Sequence, residues 1–414
     1  MHVCMLLPER FPPDIRVAKE ASALGAAGHS ITLLCRGGPD EPSFERIDGI
    51  DVERLPAGEM FAGLSGVADG LRYVASAVHP AWQRAVVDLD REDSIDAIHV
   101  HDLPLVNTGL AIGEKFDVPV VADLHENYPE AARQIQRMRG WGEIGRDPAA
   151  LVQRVAFAPW RLKRLEREGV RRADRTVTVC EEARAHYLRD CGAEPAKVKV
   201  VANTVDRDAF DSDVTPPDTL SFDSGAFVVS YIGNFTRHRG LDTLIEGFAE
   251  LVESTPAARL LLVGKGNDNY VAGLKALARS LGIREQVQFT GWVDFADVPR
   301  YLAASDVAAV PHAATPHTET TVPHKLYQAM AMGIPVVVSD VAPLARIVDH
   351  TESGFVAPAG DGEALGAALA ELTDGERATE CGENGKRAVE REYNWARDGR
   401  RLRDLYDGLQ TSGA

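Results

Sequence analysis

The sequence predicts an α/β protein made of two Rossmann-like, doubly wound halves. Three observations carry that expectation. Apolar, β-branched runs alternate with amphipathic helical patterns from end to end, as parallel sheets covered on both faces require. The series of strands restarts at Phe227. Between the two series, residues 206–224 are rich in Asp, Ser, Thr and Pro and lack apolar periodicity, the composition of a linker.

In the first half the strand candidates are His2–Leu7, Ile31–Cys35, Val52–Leu55, Ala97–His101, Val118–Ala122, Thr176–Val179 and Val198–Val201. The second series runs through Phe227–Ile232, Arg259–Val263, Val287–Thr290, Val307–Val310 and Pro335–Val338, with Phe355–Val356 as a short last piece. The expected division is an N-terminal domain over 1–205, a C-terminal domain over 206–390 and a terminal helix over 391–414. In that helix Trp395, Leu402 and Leu405 share the apolar side. Residues 319–340 compress the pattern into one stretch. An amphipathic run over His324–Met332 passes through Gly333 into Pro335-Val336-Val337-Val338, which has the character of a strand buried on both faces.

Composition excludes several function classes. With 414 residues, a net charge of −17 and 26% charged residues, the chain lacks the domain-wide basic surface of a general nucleic-acid binder. The scarcity of lysine and abundance of acid suit a high-salt cytosol, and an arginine bias equally comes from a GC-rich genome. The five cysteines (4, 35, 180, 191 and 381) show no C-x₂-C spacing, so metal and redox motifs are not indicated. Cys4, Cys35 and Cys180 fall in apolar strand-like runs and read as buried small hydrophobes. The opening MHVCMLLP is too short for a signal peptide, and no window reaches 18 uncharged apolar residues, so the expected location is cytoplasmic.

One local exception interrupts the acidic balance. Between Arg133 and Arg175 twelve Lys or Arg face five acidic residues, net +7, with Trp141, Phe157 and Trp160 interleaved. Such a segment reads either as a contact with an anionic membrane surface or as a helix packed by its aromatics with a solvated arginine face.

Several short motifs carry chemical content. Asp14 and Arg16 sit in the loop after the first strand. His101-Asp102 and His125-Glu126 each come after an apolar strand, at the edge where such sheets bind ligands; a buried structural histidine is the alternative for each. Gly233-Asn234 ends the first strand of the second series, a turn that lets backbone approach phosphate as a helix opens. Arg237 and Arg239 come next, either as bidentate phosphate ligands or as solvated loop charges. Gly264-Lys265 closes the next strand, and Trp292 is either a stacking platform or a half-buried structural residue. Asp211-Ser212-Asp213 lies in the linker, away from any strand end, so no convincing DxD metal motif is present.

FPPDIRVAKEASALGAAGHSITLLC (11–35), VHDLP (100–104), DLHENYPE (123–130), VVANTVD (200–206), YIGNFTRHRGLDTLI (231–245), LLLVGKG (260–266), FTGWV (289–293) and TVPHKLYQAMAMGIPVV (321–337) stand in an order and spacing that resembles the retaining family-4 glycosyltransferases, also called glycosyl transferases group 1. The resemblance implies the GT-B fold, two Rossmann-like domains facing a central cleft, with a terminal helix that crosses back to the first domain. It implies transfer of a hexose from a nucleotide-diphosphate sugar to a saccharide or lipid-linked acceptor, with no cofactor or bound metal. His125, Arg239 and Lys325 take the catalytic places. Gly233, Asn234, Arg237, Gly264, Lys265, Trp292, Val293, Glu319, Thr320, His324 and Gln328 take the donor places, with the base met by main-chain groups near Val293. Asp14, Arg16, His101, Asp102 and Glu126 fall on the acceptor side, and the basic stretch 133–175 corresponds to where the family meets the inner face of the cell membrane.

One departure stands out. The family motif has two glutamates separated by seven residues, and here those positions are Thr320 and Gln328, with Glu319 one residue earlier. Both replacements still hydrogen-bond hydroxyls. Two further readings remain: a nucleotide-sugar 2-epimerase, which the missing carboxylates disfavour, and a non-catalytic sugar-nucleotide-binding protein, which they favour.

Overall fold

The computed structural model describes residues 1–56, 63–138, 148–210, 214–220, 222 and 225–410. Arg139, Trp141, Glu143, Arg146 and Asp147 of the basic stretch, and Asp211–Asp213 of the linker, lie outside the described residues. The chain forms two compact units. The first comprises Met1–Val201 and the chain from Asp398 onward; the second comprises Ala202–Arg397.

The first unit holds eight strands: β1 (His2–Arg10), β2 (Ser30–Arg36), β3 (Phe44–Ile47), β4 (Ile50–Leu55), β5 (Ala97–His101), β6 (Val120–Leu124), β7 (Arg175–Thr178) and β8 (Val198–Val200). Their order is β3-β4-β2-β1-β5-β6-β7-β8, parallel throughout except for the β3–β4 hairpin. β3 escaped the sequence reading because FERI is largely exposed and polar, so neither apolar run nor alternation marks it. The turn did carry a local signal, which the strand series above does not use. Asp48 and Gly49 both take positive φ, 49° and 85°, as the Asp-Gly hairpin signal demands.

The second unit holds β9 (Val228–Ile232), β10 (Arg259–Val263), β11 (Val287–Gly291), β12 (Val307–Val310), β13 (Val336–Ser339) and β14 (Gly354–Ala357). The order is β11-β10-β9-β12-β13-β14, all parallel. The expected α/β class with two Rossmann-like parallel sheets is therefore present. Strand order reverses between β9 and β12, and between β1 and β5 in the first unit. At such points connections leave in opposite directions and open a crevice at the carboxyl ends of the strands.

Helix Leu241–Ser254 shows how the layers close. Leu241, Leu244, Ile245, Phe248 and Leu251 recur at helical spacing and are buried in the core of the second unit. On the same helix Gly247 lies so near the backbone of helix Gly362–Glu371 that a Cβ there would fall 2.7 Å from the Gly362 carbonyl.

One sequence expectation is corrected here. Gly233-Asn234 ends β9 but does not open a helix; a 3₁₀ turn over Arg237–Arg239 intervenes, and the helix begins at Leu241 behind Gly240. Gly240 has φ +68°, and a Cβ on it would sit 1.8 Å from the Pro311 carbonyl oxygen after β12. The missing side chain thus lets the Arg237–Arg239 turn lie against the end of β12, where the Ala313 amide donates to the His238 carbonyl at 3.0 Å. Gly240→Ala should cost the second unit about 1–3 kcal/mol. Denaturant unfolding measures this, and a loss below about 0.5 kcal/mol would show that the contact yields freely.

Candidate active site

In the second unit the switch point between β9 and β12 is lined by cations. Lys325 is the second residue of helix His324–Ala331, and its Nζ lies 3.4 Å from the centroid of the Tyr231 ring on β9. The ammonium is buried and has no hydrogen-bond acceptor among the described residues. Gly233 makes room for it, since a Cβ on that residue would fall 2.7 Å from the lysine nitrogen. The glycine expected to let backbone near a phosphate therefore also admits a lysine.

Arg239 donates from Nη1 to His312 Nε2 at 3.0 Å. His312 lies just after β12 and is fully buried. The His238 and His317 rings meet edge to face with centroids 5.4 Å apart. Burial, then Arg239, His317 and Lys325, lowers His238 to about 3. Burial and the charges of Arg239 and Lys325 hold His312 well below the usual imidazole range. Burial and Arg239 likewise push Lys325 well below its ordinary 10.5. All three groups resist a proton first because they are desolvated and then because the charges acting on them are positive. Such a group gains most from a multivalent anion.

The remaining predicted residues of this unit fall around that cluster or turn elsewhere. Asn234 accepts through its carbonyl from the Tyr231 hydroxyl at 2.8 Å. Arg237 is exposed and stands over the Tyr270 ring at 5.4 Å. Gly264 has φ +141°, and its amide donates to the Gly291 carbonyl at 2.8 Å. Lys265 lies 4.6 Å from the centroid of Trp292, which is 54% exposed, and Val293 comes next at the half-buried edge of that loop. The Glu319 carboxylate accepts from the Ala342 amide at 2.9 Å and so caps helix Ala342–Thr351. Thr320 donates within its own turn, 3.1 Å from the Pro316 carbonyl and 3.2 Å from that of His317. His324 opens its helix, while Gln328 is buried and shares with Lys325 a cavity of about 10 Å³ against β9 and β12.

In the first unit a buried carboxylate organises the site. Asp123 on β6 receives Arg16 Nε at 3.0 Å and Nη2 at 2.8 Å, a bidentate pair, and His125 Nε2 at 2.6 Å. Arg16 was expected in an open loop. It lies instead in the first turn of helix Ile15–Ala26, 3% exposed, with Nη1 donating to the Val201 carbonyl and Nη2 2.8 Å from Glu20. Its expected position in a loop is therefore corrected, and its guanidinium is held by Asp123, Glu20 and the Val201 carbonyl. Asp14 caps the same helix by accepting from the Val17 amide at 3.0 Å. His101 is also fully buried, its Nδ1 3.3 Å from both Asp123 Oδ2 and His125 Nε2.

These contacts set the protonation states. Burial opposes a charge on His125, but Asp123 and Asp102 outweigh it and lift the imidazole to about 10. Burial would raise Asp123, yet Arg16 and His125 hold it well below the usual carboxylate range. Asp102 stands at φ +64° immediately after β5, a strained backbone for this residue, and burial lifts its carboxyl to about 7 against the pull of His125. Its Oδ2 is 3.8 Å from His125 Nδ1. Glu126 is exposed beside them.

Sequence reasoning missed Glu20, His99 and Tyr406 here. His99 Nδ1 meets the Tyr406 hydroxyl at 2.8 Å, and its Nε2 lies 3.4 Å from Glu20. His99 had a signal: it precedes His101 by two residues on one buried strand, hence on the same face. His312 had one too, as a histidine directly after an apolar strand; Tyr406 had none. Glu20, His99, His101 and Asp123 place ligand atoms within 4.8 Å of one another, but the Arg16 guanidinium already pairs with both carboxylates, which disfavours a cation among them.

Comparison with known proteins agrees with both units. Residues 13–204 match the glycosyl transferase 4-like domain family and residues 217–388 the glycosyl transferases group 1 family. A phosphatidyl-myo-inositol mannosyltransferase of Mycobacterium leprae is 23% identical over 420 residues, covering 100% of this chain and 98% of its own. A D-inositol 3-phosphate glycosyltransferase of Segniliparus rotundus is 26% identical, covering 87% of this chain and 76% of its own. Among solved structures, a sucrose-phosphate synthase from Thermosynechococcus elongatus superposes with a TM-score of 0.78 at 21% identity over 100% of both chains. HepE of Anabaena in complex with UDP-glucose superposes with a TM-score of 0.70 at 16% identity, over 99% of this chain and 100% of its own. The two matched regions take in most of both units, and the chain belongs to the family-4, group 1 glycosyltransferases of GT-B fold, enzymes that transfer sugar groups.

Proposed function

We propose that this glycosyltransferase moves a hexose from a nucleotide-diphosphate sugar to a saccharide or lipid-linked saccharide acceptor, with retention of configuration. The observation that carries the reading is the buried Lys325 ammonium, without an acceptor beside Gly233 and in a group of positive charges. A diphosphate supplies what that group lacks, and the complex of HepE with UDP-glucose, on the same fold, supports it. As the bond from the anomeric carbon to phosphate breaks, its electron pair leaves with the diphosphate. Lys325 and Arg239 stabilise that growing charge, a part a divalent metal plays elsewhere, so the proposed transfer is metal-independent. The acceptor oxygen bonds the same face of the carbon, and its proton passes to the departing phosphate oxygen.

Within this reading Gln328 and Thr320 hold ribose and sugar hydroxyls in place of carboxylates. His125, protonated near neutral pH and with Nε2 held by Asp123, donates one hydrogen bond from Nδ1 to the sugar and does not act as a base. Asp102, tuned to about 7, is suited to accept from an acceptor hydroxyl. Peripheral membrane attachment rests on helix Pro159–Arg172, where Trp160 is 69% exposed beside exposed Lys163, Arg164 and Arg167. Arg161 does not belong to that face. It is buried, donating to the carbonyls of Ala156 and Tyr73. Among the described residues no helix is long and apolar enough to cross a membrane.

Three outcomes test these assignments. Anion binding restores the charge of a lysine that burial has depressed, so UDP binding takes up protons below the ordinary value of 10.5, and affinity falls as pH rises through that window. Calorimetry in buffers of different ionisation enthalpy measures the uptake. Lys325→Met should abolish it and weaken UDP by roughly tenfold or more, about 1.5–3 kcal/mol; unaltered affinity and uptake would remove Lys325 from the donor site.

His125 should titrate near 10 by NMR. Because its folded value is raised above the unfolded one of about 6.5, its stabilisation is complete below that pH and is lost as pH rises through about 10. The stability gap between wild type and His125→Gln should therefore shrink over that range, and a midpoint near 6.5 would contradict the network. Finally, sedimentation with anionic vesicles at low salt should retain the protein, with binding cut severalfold by Trp160→Ala combined with Arg164→Glu. Equal sedimentation of both proteins would discard the membrane face.

A further inference from the structure

A second set of donors in the first unit takes no part in the network around Asp123. Glu166 lies on helix Pro159–Arg172, and His186 and Cys191 lie where helix Glu181–His186 passes into a π-helical turn over Tyr187–Cys191. In an α-helix two residues five apart point roughly 140° away from each other. The wider π turn brings them to one side, and such turns are frequent at functional sites. Gly192, at φ +71°, then ends the turn. Cys191 Sγ is 3.6 Å from Glu166 Oε2 and 4.0 Å from His186 Nε2, and His186 Nε2 is 3.3 Å from Glu166 Oε2.

We propose that Cys191, His186 and Glu166 form a binding site for a single zinc ion, with water as the fourth ligand. With ordinary zinc bond lengths, a tetrahedron has edges of about 3.6 Å from sulfur to nitrogen or oxygen and about 3.4 Å from nitrogen to oxygen. The observed triangle departs from these by at most 0.4 Å, within reach of small side-chain rotations. Donor type agrees with the ion. One thiolate, one imidazole and one carboxylate suit zinc better than calcium or magnesium, which take oxygen ligands.

The surroundings complete the arrangement. His186 Nδ1 lies 3.0 Å from Asp190 Oδ2, and Arg189 in turn holds Asp190 through contacts of 2.9 and 2.8 Å. A carboxylate on Nδ1 fixes the imidazole so that Nε2 presents its lone pair, the usual support of a metal-bound histidine. Glu166 and Cys191 are buried, whereas His186 is half-buried, so the ion and its water arrive from the His186 side. On binding, the thiol proton leaves to solvent. All five cysteines are buried and outside any disulfide, and Cys191 has both an imidazole nitrogen and a carboxylate oxygen within 4.0 Å.

The test uses the full-length chain, stripped of metal with a chelator and titrated with Co²⁺. One ion per chain should bind, giving the thiolate-to-cobalt charge-transfer band and the strong visible bands of a tetrahedral site, all displaced by Zn²⁺. Cys191→Ser should lose the charge-transfer band, and Cys180→Ser should keep it. Asp190→Asn should weaken Zn²⁺ about 10–100-fold while leaving the spectrum in place. Should Cys191→Ser fail to fold, His186→Asn, at the less buried ligand, must lower Zn²⁺ affinity at least tenfold. Absence of a thiolate band in the wild type, its survival in Cys191→Ser, or an unchanged affinity in His186→Asn would overturn the proposal.

Discussion

A lysine ammonium held against a tyrosine ring, with no acceptor beside it among the described residues, is the constraint around which the second unit is arranged. Desolvating a charge is expensive, and the face of Tyr231 repays only part of that cost. The position therefore exists only because neighbouring groups make room for it. Gly233 forgoes a side chain that would collide with the lysine, and Gly240 forgoes one so that the turn carrying Arg239 can lie against the end of β12. Arg239 and His312 complete a cluster in which the neighbouring charges are positive.

The first unit solves the opposite problem. Its centre is a buried anion, Asp123, compensated by Arg16 and His125 and supported at a remove by His99, Glu20 and Tyr406. Every member is tied to another, so histidines that would ordinarily titrate near neutrality are fixed in defined states. His101 stays neutral and His125 stays charged. Asp102 sits at the margin of this network on a strained backbone, free of the strong pairing that pins Asp123. One unit thus presents a cluster of positive charge, and the other a set of polar groups whose protonation is already settled. That contrast suits a reaction in which one substrate carries phosphate and the other carries hydroxyls.

The range of the forces concerned decides how much of this was legible. The strands β9, β10, β12 and β13, and the helix–turn–strand over His324–Ser339, were readable because burial on both faces imposes continuous apolar runs, which are local in sequence. His101, His125 and the Gly233–Arg239 loop were readable because parallel sheets direct functional groups to strand ends. β3 was missed because an exposed edge strand needs no apolar pattern. The helix placed directly after Gly233 was misjudged because a glycine marks a turn without fixing the conformation of the residues beyond it.

Sequence alone therefore determined the fold class, the family and the loops that carry chemistry, since each depends on residues close together in the chain. Only the tertiary structure decided what the charged residues do. Arg16 and Asp123 are 107 residues apart, His99 and Tyr406 are 307 apart, and Lys325 meets Gly233 from far along the chain of the second unit. An ionisable side chain takes its state from burial and from the charges within a few ångströms. Those neighbours are assembled by packing, so no local pattern in the sequence announces them.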